Sequence, residues 1–381
     1  MIEVGIDEIT IVLKVLDSQL VLLRPGDWPA QAEELINEFV NLTGLDSVFG
    51  DLRVETRCPN GYSFAFTLGT HSFYLALAFH ESYPLMGICI RFSAQALSFY
   101  LENTGNEVFT LLQDAHKSSM YQLSLSRIDL TADYFNEDID VTRLYRGISA
   151  ESILVMREQL DPRSGEYKLR RTASKLSGYA VNDRVPTFYL GSRKANIDAL
   201  LRVYDKRLEQ IETNGVHYSR AESCESWVRF EASLRHGYAK QICDTLLLIG
   251  HSDELAMCIA SVFVQRYQFH ELVDGSYAPM PLTQSLINAI GSPTIRLSSP
   301  NSRNNDLLAS LKYIRDGSGF LSILHKAWNI WGSEAPRAIF NWLEAEFKKS
   351  EPNKDCLYWL QNNELDYRKS YPDIDDFLSK A

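Results

Sequence analysis

Several absences narrow the class of this chain. Its six cysteines, Cys58, Cys89, Cys224, Cys243, Cys258 and Cys356, form no CxxC pair. Neither a zinc site nor a disulfide framework is therefore indicated, and reduced thiols in a cytoplasm are the simple reading. The opening, MIEVGIDEITIVLKVL, has acids where a secretory signal needs a basic region. The longest apolar run, residues 255–264, is too short to cross a bilayer. These features lead us to expect a cytoplasmic protein with no membrane partner. No internal repeat at solenoid period is present. Positive charge is also scarce: 38 Lys and Arg stand against 49 Asp and Glu, for a net charge of −11. Taken alone, that balance counts against nucleic-acid binding.

The charge is unevenly spread, however. Residues 157–209 hold 12 Lys/Arg and 7 Asp/Glu, whereas residues 1–60 hold 4 and 11. The local field at a groove governs contact with phosphates more than the total does. A length of 381 residues suggests two or three domains with ample chain for a core.

Residues 5–15 alternate apolar and polar side chains and read as a strand. Helical spacing follows over 28–42. The segments 52–57, 62–68, 73–79 and 86–92 read as successive strands, which favours an antiparallel sheet. Helices are expected over 94–101 and 107–118, a long strand over 121–135, and a helix after Asp140. Residues 167–179 read as extended and 226–234 as a further strand. From Gly237 helical spacing dominates, and 274–283, with Pro279 and Pro281, is the expected hinge. The resulting expectation is an α+β fold: a large, mainly antiparallel sheet over 1–273, with 1–135 and 160–235 as candidate halves of a duplication, then a helical domain over 284–381. The aromatic helix 320–331 reads as helix-core packing.

The most informative stretch is TFYLGSRKANIDALLRVYDKRLEQ, residues 187–210. Two short apolar-aromatic runs, 187–190 and 200–204, flank a polar loop and read as a β-hairpin running into a charged helix. Each strand carries a tyrosine, and the connection carries Gly191, Ser192, Arg193 and Lys194. A phenol has a pKa near ~10, and nearby positive charge favours the phenolate nucleophile. The same cations could hold a phosphate under attack.

This hairpin resembles the signature of the Rep_trans group of rolling-circle replication initiators, found on Gram-positive plasmids, integrative elements and filamentous phages. Its members show an aromatic or aliphatic residue, Tyr, a Gly-Ser-basic turn, then Arg-aliphatic-Tyr-acid-Lys. Here these are Phe188, Tyr189, Gly191–Ser192–Arg193 and Arg202–Val203–Tyr204–Asp205–Lys206. SRIDLTADYF at 126–135 resembles the group's Arg-Ile-Asp strand, WVRFEASLR at 227–235 its Arg-hydrophobe-Glu strand, and MGICIRFSAQALSFYL at 86–101 its strand-then-helix segment. The resemblance covers roughly residues 1–270. It implies a sequence-specific DNA endonuclease and strand transferase that starts rolling-circle replication through a covalent 5′-phosphotyrosine. It also implies origin DNA, single-stranded or hairpin, as substrate, a host helicase as partner, and leaves a homodimer open. A conjugative relaxase acting at a transfer origin is the nearest alternative. A non-catalytic DNA-binding regulator on the same fold, or an RNA- or protein-interaction module, would use the tyrosines as structure only.

By resemblance the nucleophile precedes the Gly-Ser-basic turn, which selects Tyr189 over Tyr204. Lys206 and Arg193 are expected to stabilise the phenolate or the phosphate. Strand alternation puts Arg127, Asp129, Thr131 and Asp133 on one face, and Arg229, Glu231, Ser233 and Arg235 on one face of a second strand. Cleavage of a phosphodiester needs its charge neutralised, which a hard divalent ion on carboxylates does. Asp129 and Glu231, with Asp133, are the expected ligands of Mg2+ or Mn2+. Many tyrosine nucleases use a His-hydrophobe-His motif instead, but the eight histidines here are isolated. Arg170, Arg171, Lys175 and Lys194 are the expected contacts to DNA phosphates.

Overall fold

The computed structural model describes residues 1–16, 26–70, 73–161, 164–172, 175–194, 197–290, 295–297, 307–316, 318–352 and 354–380. It divides into two compact units, Met1–Pro300 and Asn301–Ala381.

The first unit begins with β1 (Ile2–Val15), α1 (Trp28–Thr43), α2 (Leu45–Phe49), β2 (Leu52–Glu55), β3 (Phe64–Leu68), β4 (Leu75–Phe79), β5 (Ile88–Phe92), α3 (Ala94–Thr104) and α4 (Val108–His116). It continues with β6 (Tyr121–Phe135), α5 (Val141–Ser149), β7 (Ile153–Leu160), β8 (Tyr167–Arg171), β9 (Leu176–Val181), β10 (Arg184–Leu190), β11 (Ala199–Asp205), α6 (Lys206–Thr213), α7 (Tyr218–Ser223), β12 (Trp227–Arg235), α8 (His236–Leu246) and α9 (Ser252–Arg266). Among the described residues, ten strands form one sheet in the order β2-β3-β4-β5-β1-β6-β12-β11-β10-β9. The pairings are antiparallel throughout.

That order contains a duplication. In each half the first strand (β1 or β6) lies at the centre of the sheet. The chain then leaves the sheet, through α1 and α2 in the first half and through α5, β7 and β8 in the second. It returns strand by strand from the outer edge inward, with α6 and α7 inserted before β12, and the last strand (β5 or β12) pairs with the first. Two helices follow in each case. The fold is α+β, as the strand pattern predicts.

The sheet has one apolar and one polar face because its long strands alternate. Ile128, Leu130 and Ala132 of β6 share a fully buried cluster with Phe230, Ala232 and Leu234 of β12, Leu201 and Val203 of β11, and Phe188 of β10. Ile242 and Leu246 of α8 and Ile259 and Phe263 of α9 belong to the same core. Removing this area from water is worth roughly 25 cal/mol per Å², so the apolar phase fixes which side chains face outward. A one-residue slip would send the apolar set to the other side.

A second sheet, β14-β13-β7-β8, is the part of the fold the sequence pattern does not announce. β13 (Gln268–Val273) and β14 (Ser276–Pro279) form a hairpin, and β13 pairs with β7 far earlier in the chain. The stretch expected as a hinge, 274–283, holds β14 and the start of α10 (Pro281–Ile290) instead. Both belong to the first unit. Residues 167–179, read as one extended stretch, contribute β8 to this sheet and β9 to the large one.

The second unit carries α11 (Leu307–Asp316), α12 (Phe320–Trp331), α13 (Ala335–Lys349), α14 (Lys354–Ser370) and α15 (Ile374–Leu378). Phe377 is buried against Tyr367 and Tyr371. The aromatic helix α12 differs from its expected role: Ala327 is buried, whereas Trp328 and Trp331 are exposed. No described helix is long and apolar enough to cross a membrane.

Candidate active site

The polar face of the large sheet is a platform of ionised and hydroxyl side chains. Its alignment follows from strand register, since directly opposed residues point to one side. Tyr189 faces Arg202, Arg202 faces Glu231, and Glu231 faces Thr131. One row therefore crosses β10, β11, β12 and β6. Two strand spacings, about 10 Å, separate the backbones of Tyr189 and Glu231. A cleft of about 870 Å³ opens on this face. Its floor includes Asp7, Glu8, Asp129, Arg202, Arg229 and Glu231, and α3, α6 and the loop to α7 contribute to its walls.

The two hairpin tyrosines have different surroundings. Tyr189 is half-buried, and the Arg193 guanidinium lies over its ring, 5.0 Å from the centroid. Tyr204 is buried; its hydroxyl donates to Glu231 Oε2 at 3.3 Å, and Arg202 covers its ring at 3.9 Å. Burial pushes the Tyr204 phenol well above its ordinary range. Gly191 follows Tyr189 by two residues with φ +117, and a Cβ there would meet the Ala199 carbonyl oxygen at 3.0 Å. Glycine is thus required where the hairpin turns away from the tyrosine. The Gly191 amide donates to the Lys175 carbonyl at 2.9 Å, which brings Lys175 to the same turn as Arg193 and the exposed Lys194.

The motif Tyr204–Asp205–Lys206 has local structural roles. Asp205 caps α6, accepting from the Leu208 amide at 2.8 Å, the ordinary device for a helix start. Lys206 is buried and paired with Glu209 at 2.6 Å. It lies four positions beyond Arg202, about 13 Å along an extended chain, so it belongs to the cleft wall and Tyr204 rather than to Tyr189.

The three expected metal acids sit in one cleft but differ in what they hold. Asp133 accepts from Arg229 through two bonds of 2.8 Å and from Trp227 Nε1 at 2.7 Å. Its oxygens are committed to protein donors, and it serves as the buried anchor of Arg229. Asp129 is 2 % exposed and is gripped through both oxygens by Arg127. Glu231 is the least committed of the three: among the described residues its hydrogen-bond donor is the Tyr204 hydroxyl and its ion-pair partner is Arg202 at 3.7 Å. Burial raises its pKa to about 7, and Asp7 and Asp129 add to that, against the opposing pull of Arg202 and Arg229. Among the described residues no three His, Cys, Asp or Glu side chains gather as a metal-binding group, so Asp129, Asp133 and Glu231 do not form a ready three-acid cage.

Residues 123–316, just over half of the chain, match the profile of Rep_trans, the replication initiation factor family. The chain belongs to that family. Its fold is similar to a solved structure of a rolling circle replication initiator protein from Geobacillus stearothermophilus, at 14% sequence identity and a TM-score of 0.50. That match covers 78% of this chain and 100% of the other; at this identity it speaks for the fold alone. No curated protein gives a significant match.

Two acids of this family member's cleft escape a motif search. The apolar positions of β1 run Ile2, Val4, Ile6 and then Ile9, Ile11, Leu13. That phase slip marks a bulge between Ile6 and Glu8, where an inserted residue re-aims side chains. Asp7 reaches Arg229 at 2.8 Å, while Glu8 is shared by Arg91 and Arg127 at 3.0 and 2.9 Å. His217 also lines the cleft, with its pKa lowered by burial and by Lys206, Arg229 and Arg220; nothing in its flanking sequence marks it. Arg170 and Arg171 lie elsewhere, on β8 of the small sheet, and Arg171 is paired with Glu151 at 2.7 Å.

Proposed function

We propose that this chain nicks and rejoins one strand of origin DNA, initiating rolling-circle replication. The observation that carries the reading is the row Tyr189–Arg202–Glu231, with a half-exposed phenol beside Arg193 at one end and a carboxylate-lined cleft at the other. Tyr189 Oη attacks the scissile phosphorus and loses its proton as the P–Oη bond forms. The P–O3′ bond breaks, and the departing oxygen takes a proton to become the 3′-hydroxyl that primes synthesis. The covalent 5′-phosphotyrosine conserves the bond energy for rejoining. Arg193, with Lys175 and Lys194 at the same turn, places positive charge where the phosphate must sit. Tyr204 suits attack poorly because its hydroxyl is buried and bonded to Glu231.

A divalent cation suits the donor set of the cleft. Glu231 has few protein donors, and Asp7 and Asp129 are near enough to disfavour its charge. Mg2+ is characteristically held by one or two carboxylates plus waters and substrate phosphate, so the lack of a three-acid cage does not argue against it. Glu231, with Asp129 or Asp7, would hold the ion. When bound it supplies charge neutralisation at the phosphate.

The test uses labelled single strands spanning the DNA that flanks the chain's own coding sequence. With Mg2+ or Mn2+, a protein–DNA band that survives denaturation should form, and excess chelator should abolish it. Absence of any such band across the whole flanking region contradicts the reading and favours a DNA-binding role without chemistry.

A further inference from the structure

A second polar cavity lies on the helix-covered side of the large sheet, where the end of α9 meets β7 and β8. It measures about 220 Å³ and is lined by Arg157, Arg266, Gln265 and Tyr167, among others. The Nε atoms of Arg157 and Arg266 are both buried without a hydrogen-bond partner. Among the described residues neither arginine pairs with a carboxylate. Arg266 lies over the Tyr238 ring at 4.1 Å and has the Tyr238 and Tyr267 hydroxyls as hydrogen-bond partners, which favour its charge without supplying a carboxylate. The cavity's own acid, Glu158, is taken by Arg296 at 3.1 Å. Gln265 spends both amide atoms on the Leu297 backbone, at 2.9 Å each.

Strand register also sets the exposed Arg170 of β8 directly opposite Arg157. Like charges at directly opposed positions destabilise a sheet, and a half-buried guanidinium whose Nε has neither solvent contact nor a partner is costly. Arg157 and Arg266 thus lack a carboxylate counter-ion among the described residues, and the exposed Arg170 adds positive charge beside Arg157. Guanidinium forks match the oxygens of a tetrahedral oxyanion. The volume is below the usual range for drug-sized ligands, roughly 300–1,000 Å³, yet ample for one phosphate group with water.

We propose that this cavity binds a phosphate group, held by Arg157 and Arg266 with Arg170 beside them. The phosphate comes either from a DNA backbone or from a free phosphate. The DNA source rests on the nicking reading above; the free-phosphate source does not, and failure to form a covalent adduct leaves it intact.

Inorganic phosphate is titrated calorimetrically into the full chain, into Arg157→Gln and into Arg266→Gln, with folding checked by circular dichroism. The wild type should bind phosphate saturably, and each variant at least ten-fold more weakly. In phosphate-free buffer Arg157→Gln should melt no lower than wild type, since it relieves the opposed pair with Arg170. A random-sequence DNA duplex is then titrated against wild type and Arg157→Gln by fluorescence anisotropy. Weaker binding by the variant, with a shallower salt dependence, assigns the phosphate to nucleic acid. Unchanged DNA affinity alongside lost phosphate binding assigns it to free phosphate. No saturable phosphate binding by the wild type, together with unchanged DNA affinity in the variant, overturns the proposal. So does a lower melting temperature of Arg157→Gln in phosphate-free buffer, which would mark Arg157 as structural.

Discussion

Glu231 accepts the Tyr204 hydroxyl at 3.3 Å while facing Arg202 across the strand pair. Arg202 in turn faces Tyr189. The buried tyrosine thus braces the acid, and the half-exposed one is left available. Tyr204→Phe should retain adduct formation at a reduced rate and lower stability by about 1 kcal/mol, the usual net worth of one hydrogen bond. Adduct yield and urea denaturation measure the two effects; complete loss of the adduct in a folded variant would contradict this division of roles.

Glu231 also predicts a pH dependence. Its pKa is raised from 4.5 to about 7 in the fold, so between those values the folded state holds a proton that the unfolded state has lost. Stability from this group is full below pH 4.5 and is lost as pH rises through 7. One pKa unit is worth about 1.4 kcal/mol, so the charged form costs on the order of 3 kcal/mol. In chelator at pH 8, Glu231→Gln should therefore melt higher than wild type, with the gap closing by pH 5. Thermal melts across that range check it, and an unchanged or lower melting temperature at pH 8 would contradict it.

Asp133 predicts the opposite sign. Removing one partner of a buried, hydrogen-bonded ion pair typically costs about 3–5 kcal/mol, and Asp133 also holds Trp227. Asp133→Ala should lower stability strongly at neutral pH. A variant that keeps wild-type stability yet loses nicking would return Asp133 to the metal site.

The large sheet was legible because alternation in long strands is a strong signal. The 15-residue β6 occupies residues 121–135, as its pattern predicts. The small sheet was hidden. β7 turns polar after Met156 and pairs with β13 more than a hundred residues later, and β13 follows α9 with only Tyr267 between them. No local pattern encodes such a pairing. Glu231 and Asp129 were readable as residues on polar strand faces, and Tyr189 from its place before the Gly-Ser-basic turn. Their commitments were not, since only register shows that Arg229 closes on Asp133 while Glu231 stays open. Asp7 was readable in principle from the phase slip in β1.

The basic residues divide by availability. Arg171 is engaged by Glu151, whereas Arg193 and Lys175 flank the Gly191 turn with no ion-pair partner among the described residues. Arg193→Ala and Lys175→Ala should each weaken binding to single-stranded DNA and lower the slope of log K against log salt by about 0.7. Arg171→Ala should change it less. Anisotropy titrations at several salt concentrations measure the slopes, and an equal or larger effect at Arg171 would move the DNA path to the small sheet.

The most direct test of the central claim is the site of the covalent link. Trypsin cuts after Arg184 and Arg193, giving a peptide of residues 185–193 whose one tyrosine is Tyr189, while Tyr204 falls in the separate peptide 203–206. Mass spectrometry of the nuclease-trimmed adduct should find the phosphonucleotide on the 185–193 peptide and no adduct at all from Tyr189→Phe. A link on the 203–206 peptide, or an undiminished adduct from Tyr189→Phe, would contradict the account.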